Sequence, residues 1–126
     1  MSLLYEKESY LLRGIWFNIY NELGPGHKES VYCNAFGQEL IINKIPYLKE
    51  PQINLYYKNG EKIGNYRPDF IVWNKIIVEF KSVNFLIPVF EKQLRYYLKG
   101  SNYKLGFLVN FGSDKIQIIR KINGNL

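Results

Sequence analysis

Hydrophobic residues near the start of the chain recur at steps of three and four positions, as in an amphipathic helix. The pattern predicts a first helix over Leu3–Leu23, with Leu12, Ile15, Trp16, Ile19 and Leu23 on its buried side. Gly24-Pro25-Gly26 predicts the end of this helix, because glycine accepts left-handed dihedral angles and proline cannot continue a helix. A second helix is predicted from about Lys28 to Asn43, with these residues buried: Val31, Ala35, Phe36 and Ile42.

The middle of the chain changes from helical spacing to alternation, which is typical of half-buried strands. Asn59-Gly60 is a strong signal for a hairpin turn, and Asn74-Lys75 predicts a second turn. Three strands are therefore predicted before the third helix: one through Ile53, Leu55 and Tyr57, one from Tyr66 to Trp73, and one from Ile76 to Lys81.

A third helix is predicted from Val89 to Lys99, since Pro88 suits a first helical turn and Gly100 ends the pattern. Two further strands follow, over Leu105–Phe111 and Ile116–Ile122. The predicted order is helix, helix, three strands, helix, two strands. The fold class is thus α/β with a mixed central sheet flanked by helices, and residues 1–126 form one domain.

The charge, the cysteine and histidine content and the apolar runs of the chain indicate which ligands and which location to expect. The formal net charge is +6, from 17 Lys and Arg against 11 Asp and Glu, which favours association with nucleic acid. With one cysteine, Cys33, and one histidine, His27, a structural zinc site is not expected. No apolar run approaches the ~18 residues of a membrane span, so we expect no membrane insertion and a cytoplasmic protein.

The segment from Asp69 to Lys81 carries the residues with candidate chemistry. Strand side chains alternate, so Glu79 and Lys81 project to one face while Phe80 points to the other. Asp69 belongs to the preceding strand, so the two carboxylates can converge. They are hard oxygen ligands suited to Mg²⁺ or Mn²⁺, and Lys81 could orient a water or stabilise negative charge.

These residues also have simpler interpretations. Asp69 could begin a strand, and Glu79 with Lys81 could be a solvated pair at a strand end. Charges at the end of an apolar strand are costly unless they are paired or bind a metal, which favours the site. Two more candidates lie on helices: Glu29, which could instead interact with a helix dipole, and Gln93, which could be a solvated residue.

Five segments in order resemble the GxxExxY family, a small branch of the PD-(D/E)XK nuclease superfamily. The first reads G-x-x-E-x-x-Y, and together the segments extend over most of the chain. They are Gly26–Tyr32, Tyr66–Asp69, Val78–Lys81, Gln93–Leu98 and Leu105–Gly112.

The resemblance implies a restriction-endonuclease-like core and a metal-dependent nuclease that acts on nucleic acid, with DNA the favoured polymer. It implies that Asp69, Glu79 and Glu29 bind Mg²⁺ or Mn²⁺, that Lys81 is the catalytic lysine, and that Gln93 points into the site. A homodimer, which would place two sites on two strands, is also expected. The alternative is a non-catalytic module that retains the fold and binds nucleic acid or protein. Further candidates for nucleic-acid binding are Arg67, Arg95, Tyr96 and Tyr97.

Overall fold

The computed structural model describes residues 3–123, which form three helices and seven strands. None of these helices is both long and apolar enough to cross a membrane. The elements are α1 (Glu6–Leu23), α2 (Glu29–Ile42), β1 (Tyr47–Lys49), β2 (Ile53–Tyr56), β3 (Lys62–Tyr66), β4 (Phe70–Val72), β5 (Ile76–Lys81), α3 (Pro88–Lys99), β6 (Leu105–Asn110) and β7 (Gln117–Ile122).

Five of the strands form one mixed sheet in the order β1-β4-β5-β6-β7. Strand β5 lies at its centre, antiparallel to β4 and parallel to β6. The crossover from β5 to β6 passes through α3, as a parallel pair requires. Strands β2 and β3 form a separate two-stranded hairpin. The predicted mixed sheet flanked by helices is confirmed.

The two faces of the sheet carry different layers. Helices α1 and α2 cover one face, where Trp16 and Phe36 pack against Phe80. Helix α3 and the β2–β3 hairpin cover the other, where Leu94 packs with Ile77. Alternation along β5 supplies both layers, because Ile76, Val78 and Phe80 face α1 and α2 while Ile77 faces α3.

The strand predicted over Tyr66–Trp73 is wrong in one respect, because the structure divides it. Residues up to Tyr66 belong to β3 in the hairpin, and Phe70–Val72 form β4 in the main sheet. Pro68 lies at the break, where it has no N–H to offer a neighbouring strand. The predicted order also lacks β1, so five strands rather than three separate α2 from α3.

Two smaller predictions are corrected as well. Val31 and Ile42 were expected to be buried on α2, but both are exposed, and Tyr32 and Leu40 fill the core instead. The turn between β4 and β5 is centred on Trp73 and Asn74, one residue early, with left-handed φ values of 53° and 55°. Positive φ at both central residues suits the twist of a tight hairpin.

Candidate active site

The carboxyl end of β5 brings Glu79 and Lys81 to the α3 face of the sheet, as strand alternation predicts. Both side chains are half-buried, whereas Phe80 between them is fully buried on the opposite face. The ammonium of Lys81 lies 4.5 Å from the ring centroid of Phe90, in the first turn of α3. This cation–π contact holds the lysine head group over the same face as Glu79.

Asp69 reaches the same place from the neighbouring strand. Phe70 pairs with Val78 in the antiparallel register of β4 and β5, so Asp69 lies level with the end of β5. Its Oδ2 accepts a hydrogen bond from the backbone N–H of Phe80 at 2.7 Å. The convergence of the Asp69 and Glu79 carboxylates therefore rests on strand pairing and on one short bond to the backbone.

Burial and like charge make this pair of carboxylates costly to ionise. Burial, and then the negative charge of Asp69, raises the pKa of Glu79 to about 8, although Lys81 opposes the shift. The pKa of Asp69 is also raised, mainly by burial, while its bond from Phe80 and the charge of Lys81 act in the other direction. A cation at this position would relieve both effects.

Glu29, in the first turn of α2, belongs to the same electrostatic group. Burial raises the pKa of its carboxyl, the charge of Asp69 raises it further, and that of Lys81 lowers it. Helix α2 approaches from the other side of the sheet, so Glu29 joins the group at the end of the strands. Within residues 3–123, no three Asp, Glu, His or Cys side chains are grouped closely enough to form a ready metal cluster.

The loop before Glu29 is held by a set of hydrogen bonds that we call the Tyr32 clasp. The Tyr32 hydroxyl donates to the carbonyl of Gly24 at 2.6 Å and accepts the backbone N–H of His27 at 3.1 Å. The hydroxyl of Ser82, the residue after Lys81, donates to the carbonyl of His27. The clasp thus links the backbone that leads into Glu29 to the backbone that follows Lys81.

Tyr32 and Ser82 were not among the predicted site residues. The three-residue spacing of Glu29 and Tyr32 was a signal, since it places both in the first turn of one helix. The tyrosine ring also stacks on Phe111, with ring centroids 4.4 Å apart. Its hydroxyl is therefore aimed by a core contact that sequence alone does not reveal.

Asn110 supports the same end of the sheet and was also missed. This fully buried residue pairs with Lys81 in the parallel register of β5 and β6. Its amide accepts the N–H of Val83 at 3.0 Å and donates to the carbonyl of Val83 at 2.9 Å. A side chain on Gly112 would lie 2.2 Å from the backbone nitrogen of Val83, so only glycine fits there. The loop that leaves Lys81 is accordingly fixed on both sides.

Gln93 lies on the flank of α3 that borders the site, but it is exposed. Phe90, three residues before it, contacts the ammonium of Lys81. Tyr97, four residues after it, stacks on the ring of Tyr66. Gln93 therefore lies on the same side of α3 as Phe90 and Tyr97. Among the described residues it makes no hydrogen bond to Asp69, Glu79 or Glu29, so its predicted role stays a prediction.

The four candidates for nucleic-acid binding differ in exposure. Arg67, Arg95 and Tyr96 are exposed. Tyr97 has one ring face covered by Tyr66, with centroids 3.5 Å apart and planes 12° from parallel. Whether these residues bind nucleic acid stays a prediction.

Tyr66 was not among the predicted site residues, but its hydroxyl interacts electrostatically with Glu79. Burial raises the pKa of its hydroxyl far above the ordinary value, and the charge of Glu79 adds to the shift.

Cys33, one turn after Glu29, is buried, and burial raises the pKa of its thiol to about 12. A thiol that stays protonated is a poor nucleophile and a poor metal ligand.

Comparison with known proteins identifies the family and the fold of the chain. A family model described as the PD-(D/E)XK nuclease superfamily matches residues 6–122. The crystal structure of SSO0001 superimposes with a TM-score of 0.59 at 22% identity, over 75% of this chain and 50% of that one. The chain thus spans about half the length of SSO0001. No curated protein matches the chain significantly. The predicted restriction-endonuclease-like arrangement of a mixed sheet flanked by helices is confirmed.

Proposed function

The chain belongs to the PD-(D/E)XK nuclease superfamily, and we propose that it is a metal-dependent nuclease that hydrolyses phosphodiester bonds in DNA. We also propose that it belongs to the GxxExxY branch, on the five sequence segments described above. One observation carries the proposed activity. Asp69 and Glu79 share a partly buried position beside Lys81, where their negative charges are only partly compensated.

The residues present fit a Mg²⁺ or Mn²⁺ ion. Asp69, directly before β4, and Glu79, near the carboxyl end of β5, offer hard oxygen donors, and Glu29 offers a third carboxylate from α2. Burial is the main cause of the raised pKa values of Glu29 and Glu79, and the negative charge of Asp69 adds to both, so a divalent cation bound among these carboxylates would offset their repulsion. When bound, the metal would polarise a phosphoryl oxygen and lower the pKa of a coordinated water.

The chain's own residues have distinct tasks in this proposal. Lys81, held over the ring of Phe90, is placed to orient the attacking water or to stabilise negative charge that develops on the phosphoryl group. Glu29 would hold the metal or the water from the opposite side. Gln93 would contact substrate from the flank of α3. Pairing of two copies through the sheet edges, β1 and β7, stays a prediction, as does the cytoplasmic location.

The proposal is tested first by calorimetry of Mn²⁺ binding to the wild type and to Asp69→Ala, without nucleic acid. The chain has a matched control, because Asp114 is its only other aspartate and is exposed. Wild type and Asp114→Ala should bind Mn²⁺ alike, and Asp69→Ala should lose binding. With Mg²⁺ and a panel of DNA substrates, Asp69→Ala should also lose all cleavage.

Two results would contradict the proposal. Cleavage that survives in Asp69→Ala would remove that residue from the site. Mn²⁺ binding that is unchanged by the substitution, or absent even with nucleic acid present, would favour the alternative of a non-catalytic module. Such a module should hold nucleic acid equally well in EDTA and lose affinity steeply as salt rises.

A further inference from the structure

An exposed apolar surface lies beside the candidate active site. We call it the apolar rim, and it comprises residues of the β5–α3 loop and of the outer side of α3. The exposed fractions are 81% for Phe85, 50% for Ile87, 47% for Val89 and 63% for Tyr96. Because these four exposed side chains belong to one continuous loop-and-helix segment, they are a candidate interaction surface.

The apolar rim is next to the site both along the chain and in space. Phe85 follows Lys81 by four residues, a span of at most about 14 Å. Phe90, which contacts the Lys81 ammonium, directly follows Val89 in the first turn of α3. Gln93 separates Val89 from Tyr96 along α3, so the rim borders the flank that faces the carboxylates.

Positive charge accompanies the part of the apolar rim that lies on α3. Helix α3 carries three exposed cationic side chains, Lys92, Arg95 and Lys99. Its one acidic residue, Glu91, is paired with Lys121 of β7. On α3 the surface thus combines exposed apolar and aromatic side chains with cations, a combination that is complementary to bases joined by phosphates.

We propose that the apolar rim binds unpaired bases, so that the substrate is a single-stranded nucleic acid whose backbone passes Lys81. In a duplex the base faces are already stacked, and a protein contacts mainly phosphates and groove edges. A protruding phenyl ring such as Phe85 gains most from a free base face, on which it can stack. This inference rests on the proposed nuclease function and names the class of its substrate.

A protein partner is the competing occupant, and the charges favour nucleic acid. The core of a protein interface is depleted of charged residues, among them lysine. Here Lys92 and Lys99 lie within one turn of Tyr96 on the exposed side of α3. Cations in that position can pair with phosphates, whereas a protein interface would need matching acidic groups.

The test measures binding in EDTA, where no metal-dependent cleavage can occur. Fluorescence anisotropy of a labelled DNA strand would be compared with that of its duplex, for the wild type, Phe85→Ala and Tyr96→Ala. Tyr10→Ala is the matched control, since Tyr10 is 82% exposed on α1, which covers the opposite face of the sheet. Phe85 is exposed enough that its removal should not disturb folding.

We expect the single strand to bind at least tenfold more tightly than the duplex. Phe85→Ala should weaken single-strand binding by about tenfold and Tyr96→Ala by a few fold, as loss of one stacked base predicts. Tyr10→Ala should bind as the wild type does. An RNA strand of the same sequence shows which backbone is preferred, and tight binding of either polymer supports the proposal.

Three outcomes would overturn it: equal or tighter binding of the duplex, single-strand binding that Phe85→Ala leaves unchanged, or self-association of the protein that Phe85→Ala abolishes. Cleavage with Mg²⁺ separates this inference from the proposed function. Binding that depends on Phe85 but is accompanied by no cleavage would support base binding by the apolar rim and contradict the proposed nuclease activity. Cleavage of duplex DNA that Phe85→Ala leaves unaffected would support the nuclease activity and contradict base binding by the apolar rim.

Discussion

The two faces of the central sheet are built from the same strands but have opposite character. The face under α1 and α2 is a closed apolar layer in which Trp16, Phe36 and Phe107 pack edge to face or tilted. The face under α3 has a smaller apolar layer, and its end carries Asp69, Glu79 and Lys81. Strand β5 contributes to both faces through simple alternation.

This difference teaches how a chain of 126 residues accommodates an unfavourable site. Partly buried carboxylates destabilise a fold unless something compensates them. Here the aromatic layer on one face supplies stability, and the other face can hold partly buried charges. The two roles meet at Phe80, whose ring belongs to the first face and whose N–H binds Asp69 of the second.

The largest expected effect comes from breaking the aromatic layer with Phe80→Ala. The ring is fully buried and lies 5.2 Å from Phe36 and 5.0 Å from Phe111, measured between centroids. Its removal leaves a cavity, which should lower the free energy of unfolding by about 3–5 kcal/mol. Urea denaturation measures this loss.

Phe17→Ala is the control for that prediction, because Phe17 is a half-exposed residue of α1. It should cost well under 1 kcal/mol, as surface substitutions usually do. Equal losses for Phe80→Ala and Phe17→Ala would show that the α1–α2 face is not the source of stability that the comparison requires.

Much of this contrast could be predicted from the sequence. The run Ile76–Lys81 predicts a central strand with Phe80 opposite Glu79 and Lys81, and the structure has that strand with the same bounds. Local spacing was sufficient because alternation is a property of the backbone alone. The positions of Glu29 and Gln93 on their helices follow from local patterns in the same way.

The features that were missed depend on contacts between distant segments. The division at Pro68 assigns Tyr66 to the hairpin, which no local signal required, since residues on both sides have strand propensity. Helix α2 has apolar residues on all sides, so its buried face is chosen by tertiary packing, and that choice left Ile42 exposed. The bond from Ser82 to His27 joins residues 55 positions apart, beyond the reach of any spacing rule.

The next prediction, of a smaller effect, concerns the charged face and the dependence of stability on pH. Burial and like charge raise the pKa of Glu79 from 4.5 to about 8 in the folded protein, so the folded state retains a proton that the unfolded chain releases. The metal-free protein should therefore be most stable, with respect to this group, below about pH 4.5, and lose that stability as the pH rises to about 8. Above that range the contribution stays constant.

Glu79→Gln should remove this pH dependence. Relative to the variant, the wild type should lose on the order of 3 kcal/mol across the window, since one pH unit corresponds to about 1.4 kcal/mol and solvent screens part of the effect. Urea denaturation in EDTA at several pH values measures the difference. Glu22→Gln, an exposed carboxylate of α1, should follow the wild-type curve. Parallel curves for wild type and Glu79→Gln would show that Glu79 is not held in an unfavourable environment.

The smallest effect tests how the two faces are joined at the end of the strands. Tyr32→Phe keeps the ring on Phe111 but removes the hydroxyl of the Tyr32 clasp, leaving the carbonyl of Gly24 and the N–H of His27 without that partner. The loss of stability should be about 1 kcal/mol. Because the clasp positions the backbone before Glu29, the variant should also bind Mn²⁺ several fold more weakly, as calorimetry would show.

Tyr20→Phe separates positioning from stability in that experiment. Its hydroxyl also donates to a backbone carbonyl, that of Ser113 at 2.6 Å, but it makes no bond to the loop before Glu29. The two variants should therefore lose similar stability, whereas only Tyr32→Phe should weaken Mn²⁺ binding. Equal Mn²⁺ affinities for the two variants would mean that the Tyr32 clasp serves the α1–α2 face alone, and that Glu29 reaches the charged face without it.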